Sequence, residues 1–356
     1  MKTAAGIKSV AVSLPKGVRT NDYYRQRYPD TVAAMAERSL GKLWTRAEGM
    51  DAFSLEMGPY LDDPFRGSVE RRILAEGETA LSLETTAARR ALAAAGMSAG
   101  DVDLVIVSSF QPDQLGVGNA AFLARELGIA RPAWNLESAC ASSLVALHTA
   151  CALVESGRYR NILVVASCAY SRTADEDDSV SWFLGDGAGA FVVGAAKERS
   201  GLLGMHTLPT TETCDTFYYA LANGATRMVM KCTPASGKIL HETAERHLMT
   251  CCTGAAAAAG VKLADVDFLV CNTPTAWFSA FAARALGMRP DQTTSCFATT
   301  GNIGCALLPM NLHAAAAAGK LAPGSLVLLY SMGSVATASA AILRWDGAAL
   351  GPNEGA

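Results

Sequence analysis

The chain has 356 residues, half of them hydrophobic and 18% charged, with a mean hydropathy of +0.20. That is more apolar material than one small core absorbs, so a globular protein of two domains or two fused halves is expected. A formal net charge of −3 with no Lys/Arg-rich block argues against nucleic acid as a partner.

The opening stretch MKTAAGIKSVAVSLP lacks the long apolar core of a signal peptide and reads as a first strand ending at Pro15. No apolar run reaches membrane-spanning length, the Ala-rich stretch 255–259 included, so a cytoplasmic protein without a membrane partner is expected. Residues 20–80 are charged and aromatic, follow no clean period, and read as an insertion or lid on the first half. TAARRALAAAGMSAGDVDLVIVSS (86–109) is an Ala-rich helix, a terminating Gly96, an Asp-Val-Asp turn and a β-branched strand. In WNLESACASSLVALHT (134–149), Cys140 lies among small residues just before the helical apolar pattern of Leu144, Val145 and Leu147. A helix start presents unpaired N–H groups, so this position is expected to favour the thiolate and to make the thiol unusually acidic. NILVVAS (161–167) reads as a buried strand. SRTADEDD (171–178) reads as a solvated acidic loop, and GDGAGAFVVGAA (185–196) as a small-residue turn into hairpin-like strands.

A polar connection, AAKERSGLLG, near residue 200 divides the chain into a first half (1–200) and a second (201–356), and the second repeats the first. TCCTGAAAAAGVKLADVDFLVCNT (250–273) echoes 86–109 at an offset of 164 residues. NIGCALLPMNLHAAAAAGKLAPGSLVLLYS (302–331) echoes 140–167, and MGSVATASAAILRW (332–345) echoes 185–196. Two βαβαβ-type units with continuous apolar strands predict an α/β fold whose sheets are covered on both faces. The repeat sets Asn302 opposite Cys140, each at the N-terminus of a central helix. The ten cysteines include no C-x-x-C pair. All but Cys140 read as free buried thiols, and no metal site is expected.

With ESACASSLVAL around Cys140, GDGAGA at 185–190, GNIGCALLP around Asn302 and the closing GKLAPGSLVLLYSMGS in this order, the chain resembles the thiolase superfamily. The likeness is to its β-ketoacyl-acyl-carrier-protein synthase III branch, over residues 1–20 and about 80–350. The resemblance implies the thiolase fold, duplicated βαβαβ halves in five layers αβαβα, in a homodimer. The dimer interface is expected along an edge of the first half, with NILVVAS continuing across subunits. Cys140 would be the nucleophile that carries the acyl group, and Asn302 a donor to the developing oxyanion or carbanion. The backbone N–H groups of Cys140 and of Ser334, in the turn 333–334, would form the oxyanion hole. The donor would be an acyl carrier protein phosphopantetheine or CoA thioester, the acceptor a small molecule, and no cofactor would stay bound. Arg172 matches an arginine near the substrate entrance. Val117 occupies the place where a bulky partner-subunit residue bounds the acyl pocket. His241 holds an aromatic position lining the pantetheine channel, with Gly237 on the substrate side beside it.

One position departs from the pattern. Where the family carries a histidine this chain has Asn272, in FLVCNTPTAW, 132 residues after Cys140 and 30 before Asn302. An amide donates and accepts hydrogen bonds but carries no proton away near neutral pH. Acylating Cys140 needs a thiolate and an oxyanion hole, whereas decarboxylating a malonyl thioester needs the paired His/Asn site. The expected activity is therefore acyl transfer in secondary, polyketide-type metabolism, from carrier protein or CoA through Cys140 and without malonyl decarboxylation. The acceptor would be a hydroxyl, giving an ester, or a pre-stabilised carbon nucleophile, as in tetronate-type ring formation. Two alternatives stay open. One is a decarboxylating synthase with a relocated base, His241 or His206. The other is a non-catalytic partner subunit of a heterodimer, against which the retained Cys140 argues.

Overall fold

In the computed structural model, which describes residues 4–42, 51–197, 199–214, 216–221, 228–334 and 336–352, the sequence repeat becomes two sheets with helices between and outside them. The first half contributes β1 (Ala5–Ser13), β2 (Gly17–Thr20), α1 (Asn21–Arg27), α2 (Pro29–Lys42), α3 (Ala52–Met57), β3 (Glu70–Ile73), α4 (Ala80–Ala94), β4 (Leu104–Phe110), α5 (Ala120–Leu127), β5 (Ala133–Asn135), α6 (Ser142–Glu155), β6 (Asn161–Ala169) and β7 (Asp186–Ala195). The second contributes β8 (Gly201–Pro209), β9 (Phe217–Leu221), β10 (Met228–Cys232), α7 (Ser236–Ala259), β11 (Phe268–Cys271), α8 (Phe278–Ala285), α9 (Phe297–Thr300), α10 (Leu307–Ala317), β12 (Leu326–Met332), β13 (Thr337–Arg344) and β14 (Ala349–Leu350). One sheet has the order β14-β1-β7-β6-β4-β5, the other β11-β12-β13-β8. The run β11–β12–β13–β8 repeats the pairing sense of β4–β6–β7–β1, one parallel pair followed by two antiparallel ones. The stretch 185–196 is thus no hairpin but mostly one strand, β7, held antiparallel between β1 and β6.

The layers follow from strand alternation. Leu104 and Ile106 of β4 join Leu144 and Leu147 of α6 and Leu308 and Leu312 of α10 in the central core. Val105 and Val107 point the other way, against Leu83 and Ala87 of α4 and Leu123 of α5. In the second sheet Val327 and Leu329 face the centre, and Leu328 and Tyr330 face α7 and α8. Burial on both faces explains why these strands read as unbroken apolar runs. Each such side chain stabilises the fold by about 1.5–3 kcal/mol. The outer helices α4 and α7 are followed by left-handed glycines, Gly96 (φ 64°) and Gly260 (φ 68°), which release the chain into the next strand.

The same logic corrects the dimer expectation. NILVVAS lies in β6, paired on both sides by β4 and β7, so it cannot continue into another subunit. The free edges of that sheet are β5 and β14. A strand buried on both faces and paired on both edges is the most apolar of its sheet, whereas edge strand β5 exposes Trp134 and Asn135.

Residues 20–80 hold α1–α3 and β3, which pairs antiparallel with β2 just ahead of the segment. Their anchor is Glu176, from the acidic run read as a solvated loop. It pairs with Arg19 at 2.5 Å and accepts from the hydroxyls of Tyr23 at 2.8 Å and Tyr28 at 3.3 Å. A second anchor is Arg71, buried with its guanidinium 5.0 Å from the ring centre of Tyr24 and 5.3 Å from that of Phe65.

Candidate active site

Cys140 lies in a tight turn, Ala139–Ala141, that runs into α6. Ala139 sits at φ 50°, a left-handed conformation that side chains resist. The surrounding bonds hold it there. Ser138 N–H donates to Ser142 Oγ at 2.7 Å. Glu137 Oε1 accepts from Ala139 N–H at 2.7 Å and from Ser142 Oγ at 2.9 Å. The Cys140 carbonyl accepts from Ser331 Oγ at 2.8 Å and from Asn272 Nδ2 at 3.3 Å.

The thiol is not acidic. Burial pushes it up to about 11, a nearby Glu137 carboxylate adds to the rise, and a hydrogen bond from the Tyr170 hydroxyl works against it. Desolvation disfavours the charged form more than a single helix turn favours it. Tyr170 is buried at the end of β6 and packs edge-on against Phe110, their ring centres 5.4 Å apart. Phe110 in turn meets Tyr219 of β9. Neither tyrosine carried a motif that would mark it.

Helices α6 and α10 begin at Ser142 and Leu307, 165 residues apart, and each follows a single 3-10 turn. The counterpart of Cys140 is therefore Cys305, in the turn Gly304–Ala306, and not Asn302, which precedes that turn in a loop. Asn302 N–H donates to Phe183 O at 2.6 Å and its carbonyl accepts from Gly185 N–H at 3.0 Å. Its Oδ1 accepts from Gly304 N–H at 2.9 Å, and its Nδ2 has no partner among the described residues.

Asn272 follows β11 and is 1% exposed. Its Nδ2 donates to Gly304 O at 2.7 Å and to Cys140 O at 3.3 Å, tying the two helix-start turns together. Its Oδ1 is buried without a partner. The amide orientation is fixed, because the reverse would set Oδ1 against two carbonyl oxygens. Both donors are thus spent on the protein, and what the side chain offers is an acceptor.

The turn at 333–334 presses on the Cys140 turn: a Cβ on Gly333 would stand 2.4 Å from Ser138 O and 3.1 Å from Ala141 N. Ser334 beside it is buried, so the two expected oxyanion donors sit on abutting turns. Gly333→Ala should force backbone apart here. Acylation of Cys140 is expected to slow about a hundredfold or more, the scale of one lost oxyanion donor. Stopped-time mass measurement of the protein would show it, and an undiminished rate would remove this turn from the site.

Other expected residues lie elsewhere. His241 Nε2 is 2.9 Å from Asp51 Oδ2 and 3.2 Å from Ser54 Oγ, and its ring stacks on Phe53 at 4.8 Å. It is committed to the start of α3. His206 lies on β8, paired with Ala340. Arg172 pairs with Asp113 at 2.5 Å. Val117 is 67% exposed at the surface. Gly237, in the first turn of α7, faces open space. Among the described residues no cluster of three or more His, Cys, Asp or Glu could hold a metal, and no helix is long and apolar enough to cross a membrane.

Residues 134–210 match the family model for 3-oxoacyl-[acyl-carrier-protein] synthase III, and residues 256–345 match that for its C-terminal part. The chain is 31% identical over 285 residues to the β-ketoacyl-[acyl-carrier-protein] synthase III of Thiobacillus denitrificans, spanning 78% of this chain and 88% of that one. It is 32% identical over 291 residues to that of Roseobacter denitrificans, spanning 79% and 88%. Among solved structures, FabH from Pseudomonas aeruginosa superposes with a TM-score of 0.80 at 24% identity, over 96% of this chain and 98% of that one. The priming β-ketosynthase of the R1128 polyketide pathway gives 0.79 at 23%, over 97% and 98%. These two likenesses speak for the shared fold.

Proposed function

Because the chain belongs to the β-ketoacyl-[acyl-carrier-protein] synthase III family, whose members transfer and condense acyl groups, we propose a non-decarboxylating acyl transfer through Cys140. An acyl carrier protein or CoA thioester loads the acyl group onto the thiol. The group then passes to a hydroxyl or to a pre-stabilised carbon nucleophile, as ester formation or tetronate-type ring closure in secondary metabolism, by a homodimeric enzyme.

One observation carries this reading: Asn272 gives both amide hydrogens to Cys140 O and Gly304 O and keeps Oδ1 free. The enolate left by malonyl decarboxylation needs donors, and of the two asparagines only Asn302 has one to spare. An acceptor bearing O–H would satisfy Oδ1, whose unpaired burial costs about 1–3 kcal/mol.

Incubation with a malonyl thioester should release no carbon dioxide, while intact-protein mass should rise by one acyl group with acyl thioesters. Carbon dioxide released at the rate of product formation would replace this reading with a decarboxylating synthase. A protein that never gains mass would be a non-catalytic partner subunit.

A further inference from the structure

Transfer from Cys140 to a hydroxyl requires that the hydroxyl lose its proton, and neither asparagine can take it. The histidines are committed elsewhere or remote. His241 is engaged by Asp51 and Ser54, His247 by Glu212 and His313 by Gly351 O. His148 is exposed on α6, and His206 lies on the far sheet.

A carboxylate stands in the nucleophile's own turn. Glu137 is fixed through Oε1 by the Ala139 N–H and the Ser142 hydroxyl, at 2.7 and 2.9 Å, and the Ser138 N–H also faces the carboxyl; Oε2 takes no other bond among the described residues. The residue as a whole is exposed, while its carboxyl is tucked against the turn and largely buried. The titratable groups that face it are Cys140 of the same turn and Cys305 from the start of α10. Beyond Cys305 stands Glu84 of α4, itself bonded to Asn119 and Ser167. Partial burial raises the Glu137 carboxyl above its ordinary range, toward that of an effective base.

We propose that Glu137 is the general base of the transfer step, taking the acceptor's proton as its oxygen attacks the Cys140 thioester. This role rests on the transfer reading above. The docked hydroxyl turns its O–H from Asn272 Oδ1 to Glu137 Oε2, and its oxygen forms a bond to the acyl carbon as that proton moves to Oε2. The carbon–sulfur bond then breaks, its electron pair stays on Sγ, and the strongly basic thiolate takes the proton back from Glu137. Ester leaves, and Cys140 thiol and Glu137 carboxylate are restored.

Glu137→Gln keeps an oxygen for both anchoring bonds and removes the base. Cys140 is first acylated with butyryl-CoA, then chased with methanol, which needs a base, or with hydroxylamine, which attacks unaided. Methyl ester formation should fall about a hundredfold or more in the variant, with hydroxylamine capture slowed far less and acylation still reaching completion. In the parent, methanolysis should decline as pH falls through the raised Glu137 value, because the protonated carboxyl accepts nothing, and the variant should lack that decline. Equal methanolysis in parent and variant overturns the proposal. So does an equal loss of acylation, methanolysis and hydroxylamine capture, which would make Glu137 a structural support only. A parent that ignores methanol yet releases carbon dioxide from a malonyl thioester overturns the transfer reading itself, and this role with it.

Discussion

Cys140→Ala should gain no mass from any acyl thioester, and in the parent protein the Cys140 thiol should react sluggishly with iodoacetamide at neutral pH. Labelling of its peptide is expected to climb with pH toward a midpoint near 11. About one thiol in ten thousand is ionised four units below such a value, against about 3% for a free cysteine, so alkylation should be about three-hundredfold slower on thiolate fraction alone. Peptide mapping is needed, because the exposed Cys214 and Cys232 compete for reagent. A midpoint at or below the ordinary 8.5 or so would mean that the helix start outweighs burial. A reluctant thiol suits thiol–thioester exchange. On the proposed route the Cys140 proton would leave with the departing pantetheine sulfur, so no free thiolate need accumulate. On the proposed return step the high proton affinity of Sγ would help to reset the site.

Much of this arrangement was legible in the sequence, and the failures have physical causes. The repeat around Gly96 and Gly260 marked two equivalent helix–strand units because a left-handed glycine is needed where each outer helix ends. The register of the central helices was misread because small residues fill both approaches. The Cys-Ala pairs at 140–141 and 305–306 are the signal that aligns them. Apolar content alone identified β6 as buried but does not say whether a strand is central or at an edge; here the most apolar strand is central. Desolvation of the thiol and the Tyr170 hydroxyl beside it are tertiary facts, whereas Glu137 stands in the ESAC stretch itself and only its bonds to Ala139 and Ser142 had to come from the fold. A helix-start motif predicts the positive end of a dipole, not the medium around it. His241 illustrates the converse: the resemblance sets it beside the substrate channel, but its partner Asp51 comes from a segment that follows no clean period.

The Asn272 series separates the roles of its two ends. Asn272→Ala removes the donors that join the two helix-start turns. Cys140 O keeps Ser331, whereas Gly304 O loses its amide partner. Unfolding stability should fall by about 1–3 kcal/mol. Transfer should fall by about ten- to a thousandfold, the range for one polar contact to developing charge. Asn272→Asp is nearly isosteric but turns a carboxyl toward two carbonyl oxygens in a buried site, so it should cost more stability than alanine unless the carboxyl stays protonated. Asn272→His brings a base, but the two imidazole nitrogens point away from each other and cannot serve both carbonyls. It should transfer less well than the parent and acquire weak malonyl decarboxylation. Thermal unfolding, acylation by mass, and transfer are to be read on all three. Acylation should survive in the alanine and histidine variants, since Sγ attack uses the turn and its N–H groups. An alanine variant as stable and as fast as the parent would show that the amide neither pins the turns nor meets the acceptor. A histidine variant that outruns the parent in transfer would show that the parent lacks a base of its own, and Glu137 would then lose the role assigned to it.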